Sequence, residues 1–210
     1  MAKERLKSPR ARLFVALDLP DEVRDAVAAW QARALKDPAL RPTRPESLHV
    51  TLCFLAYHPE KAIPRILEVI GSVKPRPAEL RFDPEPSPIP KGRPRLYAIG
   101  GRSESVETLE AELSDALEAE RFYEPEKRGF WPHVTVARVR SERLPPAPGK
   151  RRGKGRPKRV NKPPNRLPKA LEQPFGFVRV ALYRSNLKPQ GAEYVRLGGI
   201  DLPSPQGQKR

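Results

Sequence analysis

The sequence has very few of the residues from which disulfide frameworks and metal centres are built. Among 210 residues there is one cysteine, Cys53, and there are three histidines. A single cysteine excludes an intramolecular disulfide and argues against a structural zinc site. No apolar run approaches the roughly 20 residues that are needed to cross a bilayer. These absences favour a soluble, cytoplasmic protein that has no membrane partner.

Acidic residues are scarce relative to basic ones. The chain has 25 Asp and Glu against 41 Lys and Arg, which gives a formal net charge of +16. The stretch 141–170 alone holds eleven basic residues, seven prolines and one acid. Proline removes backbone donors and like charges repel, so residues 145–168 are predicted to form an extended, mobile basic insertion. It is interpreted either as an arm that gathers RNA or as a solvated insertion without a binding role.

Outside the insertion, the hydrophobic pattern predicts an α+β fold. Strand–helix–strand order occurs twice, which indicates two related lobes in a single domain that spans residues 1–210. Proline-rich stretches at residues 38–45 and 84–94 are expected to be loops. The predicted helices are 21–35, 59–73 and 104–119, and the main predicted strands are 12–19, 47–55, 95–99, 132–139, 175–183 and 193–197.

Two predicted strands carry the same short pattern of histidine, any residue, threonine and an aliphatic residue. One copy contains His49 and Thr51, and the other contains His133 and Thr135. Because side chains alternate between the two faces of a strand, each histidine shares a face with its threonine, while the intervening valine faces the core. If the two lobes pack about an approximate two-fold axis, both polar pairs converge on one cleft.

Such a cleft suits chemistry at phosphorus. Imidazole titrates near pH 6.5, so a neutral ring can take a proton from attacking water while a protonated ring donates one to the leaving oxygen. Each transfer is worth roughly 10²–10⁴-fold in rate. The hydroxyls of Thr51 and Thr135 can donate to the non-bridging phosphate oxygens.

A catalytic metal is the competing interpretation of these residues. The side chain of Cys53 has the same strand parity as that of His49, so it could join the two histidines as a ligand. Yet no carboxylates are grouped nearby, and threonine is a poor metal ligand. The third histidine, His58, lies beside Pro59 at a strand exit and is expected in an exposed loop. We therefore expect no metal and no other cofactor.

With these motifs, the chain resembles the 2H phosphoesterase superfamily, and within it the RNA 2′,3′-cyclic phosphodiesterases, formerly called 2′-5′ RNA ligases. The resemblance covers most of residues 12–197 except the insertion. It is carried by both motifs, by Phe54 and Leu55 after the first, and by residues 128–138 (RGFWPHVTVAR) around the second. It implies a bilobed fold in which facing antiparallel sheets, flanked by helices, enclose a central cleft.

The resemblance also implies a reaction and residue roles. RNA ending in a 2′,3′-cyclic phosphate, such as a tRNA fragment, would be opened to a 2′-phosphomonoester. His49 would donate a proton to the departing 3′ oxygen and His133 would activate water, whereas the residues alone leave this order open. Thr51, Thr135 and Arg128 would bind the phosphate. Arg138 also matches a family position, although strict alternation turns it away from the His133 face unless a bulge intervenes.

Two departures from the family pattern concern the first motif. Ser47 stands where asparagine is usual, and Ala56 replaces the customary glycine after Phe-Leu. Neither change removes a chemical group from the mechanism, but both could alter how the strand exits.

Two other functions remain open at this stage. The same site could ligate a cyclic-phosphate end to a 5′-hydroxyl RNA end, or the chain could be an RNA-binding module without turnover. Water at bulk concentration normally outcompetes a weakly held hydroxyl, so hydrolysis is favoured over ligation. The expected oligomeric state is a monomer.

Overall fold

The computed structural model describes residues 9–142, 155–188 and 191–205. Three α-helices are present in these ranges: α1 Asp21–Ala34, α2 Ile63–Ser72 and α3 Glu104–Ala119. The strands are β1 Arg10–Asp18, β2 Leu40–Pro42, β3 His49–Pro59, β4 Glu79–Leu80, β5 Ser87–Ile89, β6 Leu96–Gly100, β7 His133–Val139, β8 Ser141–Glu142, β9 Arg156–Pro157, β10 Phe175–Gly176, β11 Arg179–Lys188 and β12 Gly191–Asp201. No helix of this part of the chain is long and apolar enough to span a membrane.

An eight-stranded antiparallel sheet is divided by one narrow seam into two smaller sheets. The first has the order β12-β11-β1-β3, and the second contains β7, β6 and β5, with β2 also paired to β7. Across the described residues, β3 and β7 are joined by the single pair Val50 and Val134. Both valines are fully buried. The predicted α+β fold of two lobes about a central cleft is confirmed, and the seam lies directly beside the two motif histidines.

Each lobe is covered by a helix that follows a strand of the other lobe. Helix α1 follows β1, yet Gln31 Nε2 donates to the carbonyl oxygen of Val136 in β7, at 2.7 Å. Helix α3 follows β6 but packs against β3 and α2. Its buried residues recur at three- and four-residue steps, and Ser103 Oγ accepts from the Val106 N–H at its start. This exchange ties the two sheets together around one core.

Two strands form where the prolines predicted loops. Strand β2 pairs with β7, and β5 pairs with β6. Both are three residues long and lie at edges of the second sheet. Proline cannot donate to a ladder but is tolerated on an edge strand, where one side of the backbone needs no partner. The loop prediction was therefore wrong for residues 40–42 and 87–89 and correct for most of the residues around them.

The later part of the basic insertion is fixed to the domain. Asp37 Oδ2 accepts from the N–H groups of Asn161 and Lys162, and these bonds, with the Ala39 N–H, lower the pKa of the carboxyl. Leu167 is buried, and Trp30 Nε1 donates to the Arg166 carbonyl at 3.3 Å. The prediction of a mobile linker is therefore wrong for residues 155–168, while residues 145–154 lie outside the described residues.

Candidate active site

His49 and His133 stand at the first positions of β3 and β7, next to the seam. The pairing of Val50 with Val134 is antiparallel, so it brings His49 towards Thr135 and Thr51 towards His133. Alternation buries the valines and leaves the histidines and threonines partly exposed on the other face. The predicted two-fold relation between the motifs is therefore present in the described residues.

These four side chains line one open cavity, here called the central cavity, with a volume of about 330 Å³. Pockets of this size hold small ligands. The fifth predicted residue, Arg128, is not among the lining residues: its Nε donates to Glu126 Oε2 at 2.5 Å on an exposed loop. The structure thus brings His49, Thr51, His133 and Thr135 together in one cavity, whereas Arg128 lies outside the lining of that cavity.

His133 is held by a hydrogen bond and a stacking contact. Its Nδ1 lies 2.8 Å from the carbonyl oxygen of Trp131. A carbonyl only accepts, so Nδ1 carries the proton and Nε2 of the neutral ring is free to accept one. The indole of Trp131 stacks on the imidazole with centroids 4.6 Å apart and planes inclined by 14°. The two contacts therefore fix the ring and leave Nε2 as its hydrogen-bond acceptor.

Gly100 leaves the space that this arrangement requires. It pairs with His133 in the ladder of β6 and β7. A Cβ at this position would lie 2.5 Å from the Pro132 carbonyl oxygen and 2.7 Å from the Trp131 ring. The absence of a side chain therefore determines where Trp131 stacks.

Gly100→Ala is expected to lower the melting temperature and to reduce turnover about tenfold, since overpacking costs about 1–3 kcal/mol and here displaces the ring that supports His133. Calorimetry and initial rates measure both effects. The control is Gly71→Ala, whose added methyl group meets nothing within 4 Å. Full activity in the Gly100 variant would show that Trp131 does not position His133.

His49 lies in an aromatic cluster that sequence analysis did not predict. The ring of Phe14 stacks on it at 5.0 Å, and Tyr194 meets it edge-on at 5.2 Å. Tyr183 also stacks on Phe14, at 5.3 Å, lies 6.2 Å from the His49 ring and donates to Asp18 Oδ1 at 2.5 Å. A backbone hydrogen bond with Ser47, the residue two positions earlier, also favours the charged form of the His49 ring.

Burial lowers the pKa of both histidines. The pKa of His49 falls to about 4, mainly through desolvation, although the bond to Ser47 opposes this, and the charges of Arg138 and His133 lower it further. Desolvation also lowers the pKa of His133, and the charge of Arg128 contributes. Both rings are therefore neutral near pH 7 in the free protein. An anion in the cavity would raise both values, because an opposite charge favours imidazolium.

Arg138 reaches the cavity because β7 contains a bulge. The ladder between β6 and β7 shifts register as the partners pass from Ala137 to Thr135. Val136 and Ala137 are consequently both buried, and Arg138 lines the central cavity. Strict alternation had turned this side chain away. The bulge places a guanidinium near the histidines.

A second irregularity moves Phe54 to the same face. The pairing of β1 with β3 shifts on both sides of Val15, and Ala56 has a φ of +59°. Phe54, predicted to face the core, instead lines the cavity and is 38% exposed, while Cys53 is fully buried. Ala56 thus adopts the left-handed backbone for which the customary glycine is suited. A cysteine ligand at this cavity is excluded by the burial of Cys53.

Three further arginines line the cavity that sequence analysis did not assign to the site. Arg12, Arg41 and Arg44 border the cavity with Arg138. Arg12 is oriented by Ser185, whose Oγ accepts from its Nη1 at 2.7 Å. Thr43 contributes a buried hydroxyl with no hydrogen-bond partner among the described residues. Four guanidinium groups around two neutral imidazoles make this an anion site.

Among its described residues, the central cavity does not contain a set of side chains that could coordinate a metal ion. In the described ranges, no three His, Cys, Asp or Glu side chains are grouped as metal ligands. The third histidine, His58, lies on β3 rather than in a loop, with its ring 5.7 Å from that of Phe122. It does not line the central cavity.

Comparison with known proteins gives the same family as the motifs. The pattern of a family described as LigT like Phosphoesterase matches residues 17–84. A Thermus thermophilus protein named RNA 2′,3′-cyclic phosphodiesterase is 31% identical over 95% of this chain and 94% of its own length. The chain belongs to the LigT-like phosphoesterase family. Among other family members, an Escherichia coli protein with the same name is 29% identical over 66% of this chain and 78% of its own length.

Solved structures agree with this membership. The crystal structure of TT0787 of Thermus thermophilus matches with a TM-score of 0.70 and 29% identity, covering 91% of this chain and 97% of that one. The crystal structure of E. coli LigT complexed with 3′-AMP matches with a TM-score of 0.68 at 22% identity, covering 92% and 99%. Both confirm the fold of this LigT-like phosphoesterase.

Proposed function

We propose that this chain hydrolyses 2′,3′-cyclic phosphate ends of RNA to 2′-phosphomonoesters without a metal ion. The observation that carries the proposal is the arrangement of His49, Thr51, His133 and Thr135 around one arginine-lined cavity. Support comes from the relatives in Thermus thermophilus and Escherichia coli, which are named RNA 2′,3′-cyclic phosphodiesterase. Because the cavity takes residues from both halves of the chain, we further propose that the chain works as one domain and as a monomer.

The proposed reaction is a single displacement at phosphorus. Water attacks the phosphorus atom and gives its proton to Nε2 of His133, which the bond to Trp131 leaves free. The substrate anion raises the pKa of His49, so its ring takes up a second proton when the substrate binds. The bond from phosphorus to the 3′ oxygen breaks as the His49 imidazolium donates that proton to the departing oxygen. The product keeps its phosphate on the 2′ oxygen. The assignment of donor and base follows the family resemblance, because the motif pattern is the same at both histidines.

Charge stabilisation is assigned to the hydroxyls and guanidinium groups. Thr51 and Thr135 would donate to the non-bridging oxygens, and Arg138 would balance their charge. We retain Arg128 as a proposed phosphate ligand, which would exchange Glu126 for the substrate. The natural RNA is proposed to be a fragment with a cyclic end, such as a tRNA fragment.

The direct test uses a defined oligonucleotide with a 2′,3′-cyclic phosphate, incubated with the protein in EDTA. We expect a product heavier by one water that carries a 2′-monoester, identified by mass and phosphorus NMR. A product joined to an added 5′-hydroxyl RNA would instead indicate ligation. Loss of turnover in EDTA, with recovery on adding a divalent ion, would contradict the metal-free scheme.

The lowered pKa values predict an unusual pH dependence. The donor works only below its pKa and the base only above its own, so the profile is bell-shaped. Since kcat/KM reports the free protein, we expect its optimum below pH 6.5. The substrate anion raises the pKa of both rings, so the optimum of kcat should lie at higher pH. Rates measured from pH 4 to 9 test this, and coincident optima near pH 8 would contradict it.

A further inference from the structure

One face of β1 leads away from the cluster around His49. Phe14, Arg12 and Arg10 follow one another on this face at steps of two residues, or about 6.6 Å each. Phe14 stacks on His49. Arg12 borders the central cavity, and Arg10 is exposed at the far end. A row of two cations thus continues outward from the reacting position.

The bulged end of β3 places two aromatic rings beside these cations. Phe54 is 38% exposed and Tyr57 is 51% exposed. The guanidinium of Arg12 lies 4.4 Å from the centroid of the Phe54 ring. Tyr57 pairs with Arg12 in the ladder, and its carbonyl accepts a hydrogen bond from Arg10 Nη2. Large exposed aromatic side chains next to arginines are typical of surfaces that bind single-stranded nucleic acid.

A second concavity continues the central cavity in this direction. It has a volume of about 340 Å³ and is lined by Arg10, Arg12, Tyr57 and Arg184, among others. Arg12 belongs to both concavities. The acid in the second one, Glu60, forms an ion pair with Arg184 at 3.1 Å. The surface therefore keeps an excess of positive charge.

A neighbouring groove and the basic insertion are chemically less suitable. The groove shares His49 and Tyr194 with the cavity and is lined by three arginines and five carboxylates. Its net charge is therefore negative, which is unfavourable for a phosphodiester backbone; the carboxylates are Asp18, Asp21, Glu22, Glu46 and Asp201. The described part of the insertion, residues 155–168, is basic but contains no aromatic residue. It could hold phosphates but offers no ring on which a base can stack.

We propose that Arg10, Arg12, Phe54 and Tyr57 form a binding track for the nucleotide that precedes the cyclic-phosphate end. The inference rests on the proposed function and extends it from the reacting phosphate to the RNA chain. Tyr57 stacks with the base of this penultimate nucleotide. Arg10 binds the phosphodiester group that links this nucleotide to the terminal one. The site therefore prefers an oligonucleotide to a mononucleotide.

The test compares kcat/KM for a 2′,3′-cyclic mononucleotide with kcat/KM for a dinucleotide that has the same cyclic end. In the wild-type protein the dinucleotide should be preferred by ~5- to 150-fold, the range expected for one stacked base. Tyr57→Ala should bring this ratio close to one, and Tyr57→Phe, which keeps the ring, should retain it. Tyr57 is half exposed, so truncating it should leave the fold intact.

Arg10→Ala tests the phosphate contact. It should reduce the slope of log(kcat/KM) against log salt by about 0.7 for a longer single-stranded oligonucleotide that has the same cyclic end. Lys158→Ala, which removes the same charge from the insertion, is the matched control and should change neither the slope nor the ratio. If Lys158→Ala removes the dinucleotide preference and Tyr57→Ala does not, the RNA runs over the insertion and the track is wrong.

Two further outcomes separate the track from the proposed function. If the wild-type protein hydrolyses both substrates equally well, the function stands and the track is overturned. If neither substrate is hydrolysed, dissociation constants are measured by fluorescence anisotropy for an oligonucleotide and a mononucleotide that both end in a phosphate monoester. A preference for the oligonucleotide that Tyr57→Ala abolishes supports the track, and the absence of such a preference overturns it.

Discussion

Replacing His49 or His133 by alanine is expected to reduce kcat for cyclic-phosphate hydrolysis by roughly 10²–10⁴-fold each, the range for loss of one proton transfer. Affinity for RNA should change far less, because neither ring is charged near neutral pH in the free protein and four arginines supply the attraction. Single-turnover rates and a binding assay measure the two quantities. The matched control is His58→Ala, which removes the histidine outside the cavity and should leave kcat unchanged.

The roles of the two histidines can be separated with a cyclic end in which sulfur replaces the bridging 3′ oxygen. A thiolate leaves without receiving a proton, so this substrate should restore most of the rate lost in His49→Ala and little of that lost in His133→Ala. Rescue of the His133 variant instead would reverse the assignment of donor and base. If both alanine variants hydrolyse the substrate at the wild-type rate, the two-histidine mechanism is refuted. If the wild-type protein itself does not hydrolyse it, the interpretation as an RNA-binding module is favoured.

Arg138→Ala is expected to lower kcat by about 10²–10³-fold, the cost of removing one group that stabilises transition-state charge. The same change should raise the pKa of His49, because the charge of Arg138 lowers it in the wild-type protein. Rates and NMR titration of the imidazole give independent measurements of the two effects. A lost rate with an unchanged titration would show that Arg138 acts on the substrate alone.

Arg128→Ala provides the comparison for an arginine that acts on His133 but does not line the cavity. Its guanidinium pairs with Glu126 and its side chain is 75% exposed, so we expect a smaller loss than for Arg138→Ala. The charge of Arg128 lowers the pKa of His133, and its removal should therefore raise that pKa. A larger loss of kcat for Arg128→Ala than for Arg138→Ala would show that the exposed loop closes on the substrate.

The strands around the motifs illustrate why regular patterns can be predicted and irregular ones cannot. Alternation of apolar and polar residues follows from the geometry of any strand, so the shared face of His49 and Thr51 was evident from the sequence. Bulges depend on the neighbouring strand, and nothing in the local sequence of β7 distinguishes Arg138 from a residue that faces outward. The irregularity between β1 and β3 could not be predicted either, because alanine at position 56 does not indicate a positive φ.

The insertion illustrates the same limit for composition. Charge and proline content predicted an extended segment, since a chain with few apolar residues has little to bury. The bonds from Asn161 and Lys162 to Asp37 join residues that are more than a hundred positions apart, and such contacts leave no local pattern. Their effect is to fix part of a basic segment that composition alone describes as free.

The sequence by itself determined the chemistry of this protein: two histidines and two threonines in repeated strand patterns, few other reactive residues and an excess of positive charge. These follow from residue identity and from backbone periodicity, which are local properties. Only the tertiary structure decided which cations and aromatic rings surround the histidines, that burial lowers the histidine pKa values, and which second concavity adjoins the cavity. Those features depend on contacts between strands that are distant in the sequence, and the register of such strands is set by packing of the whole domain.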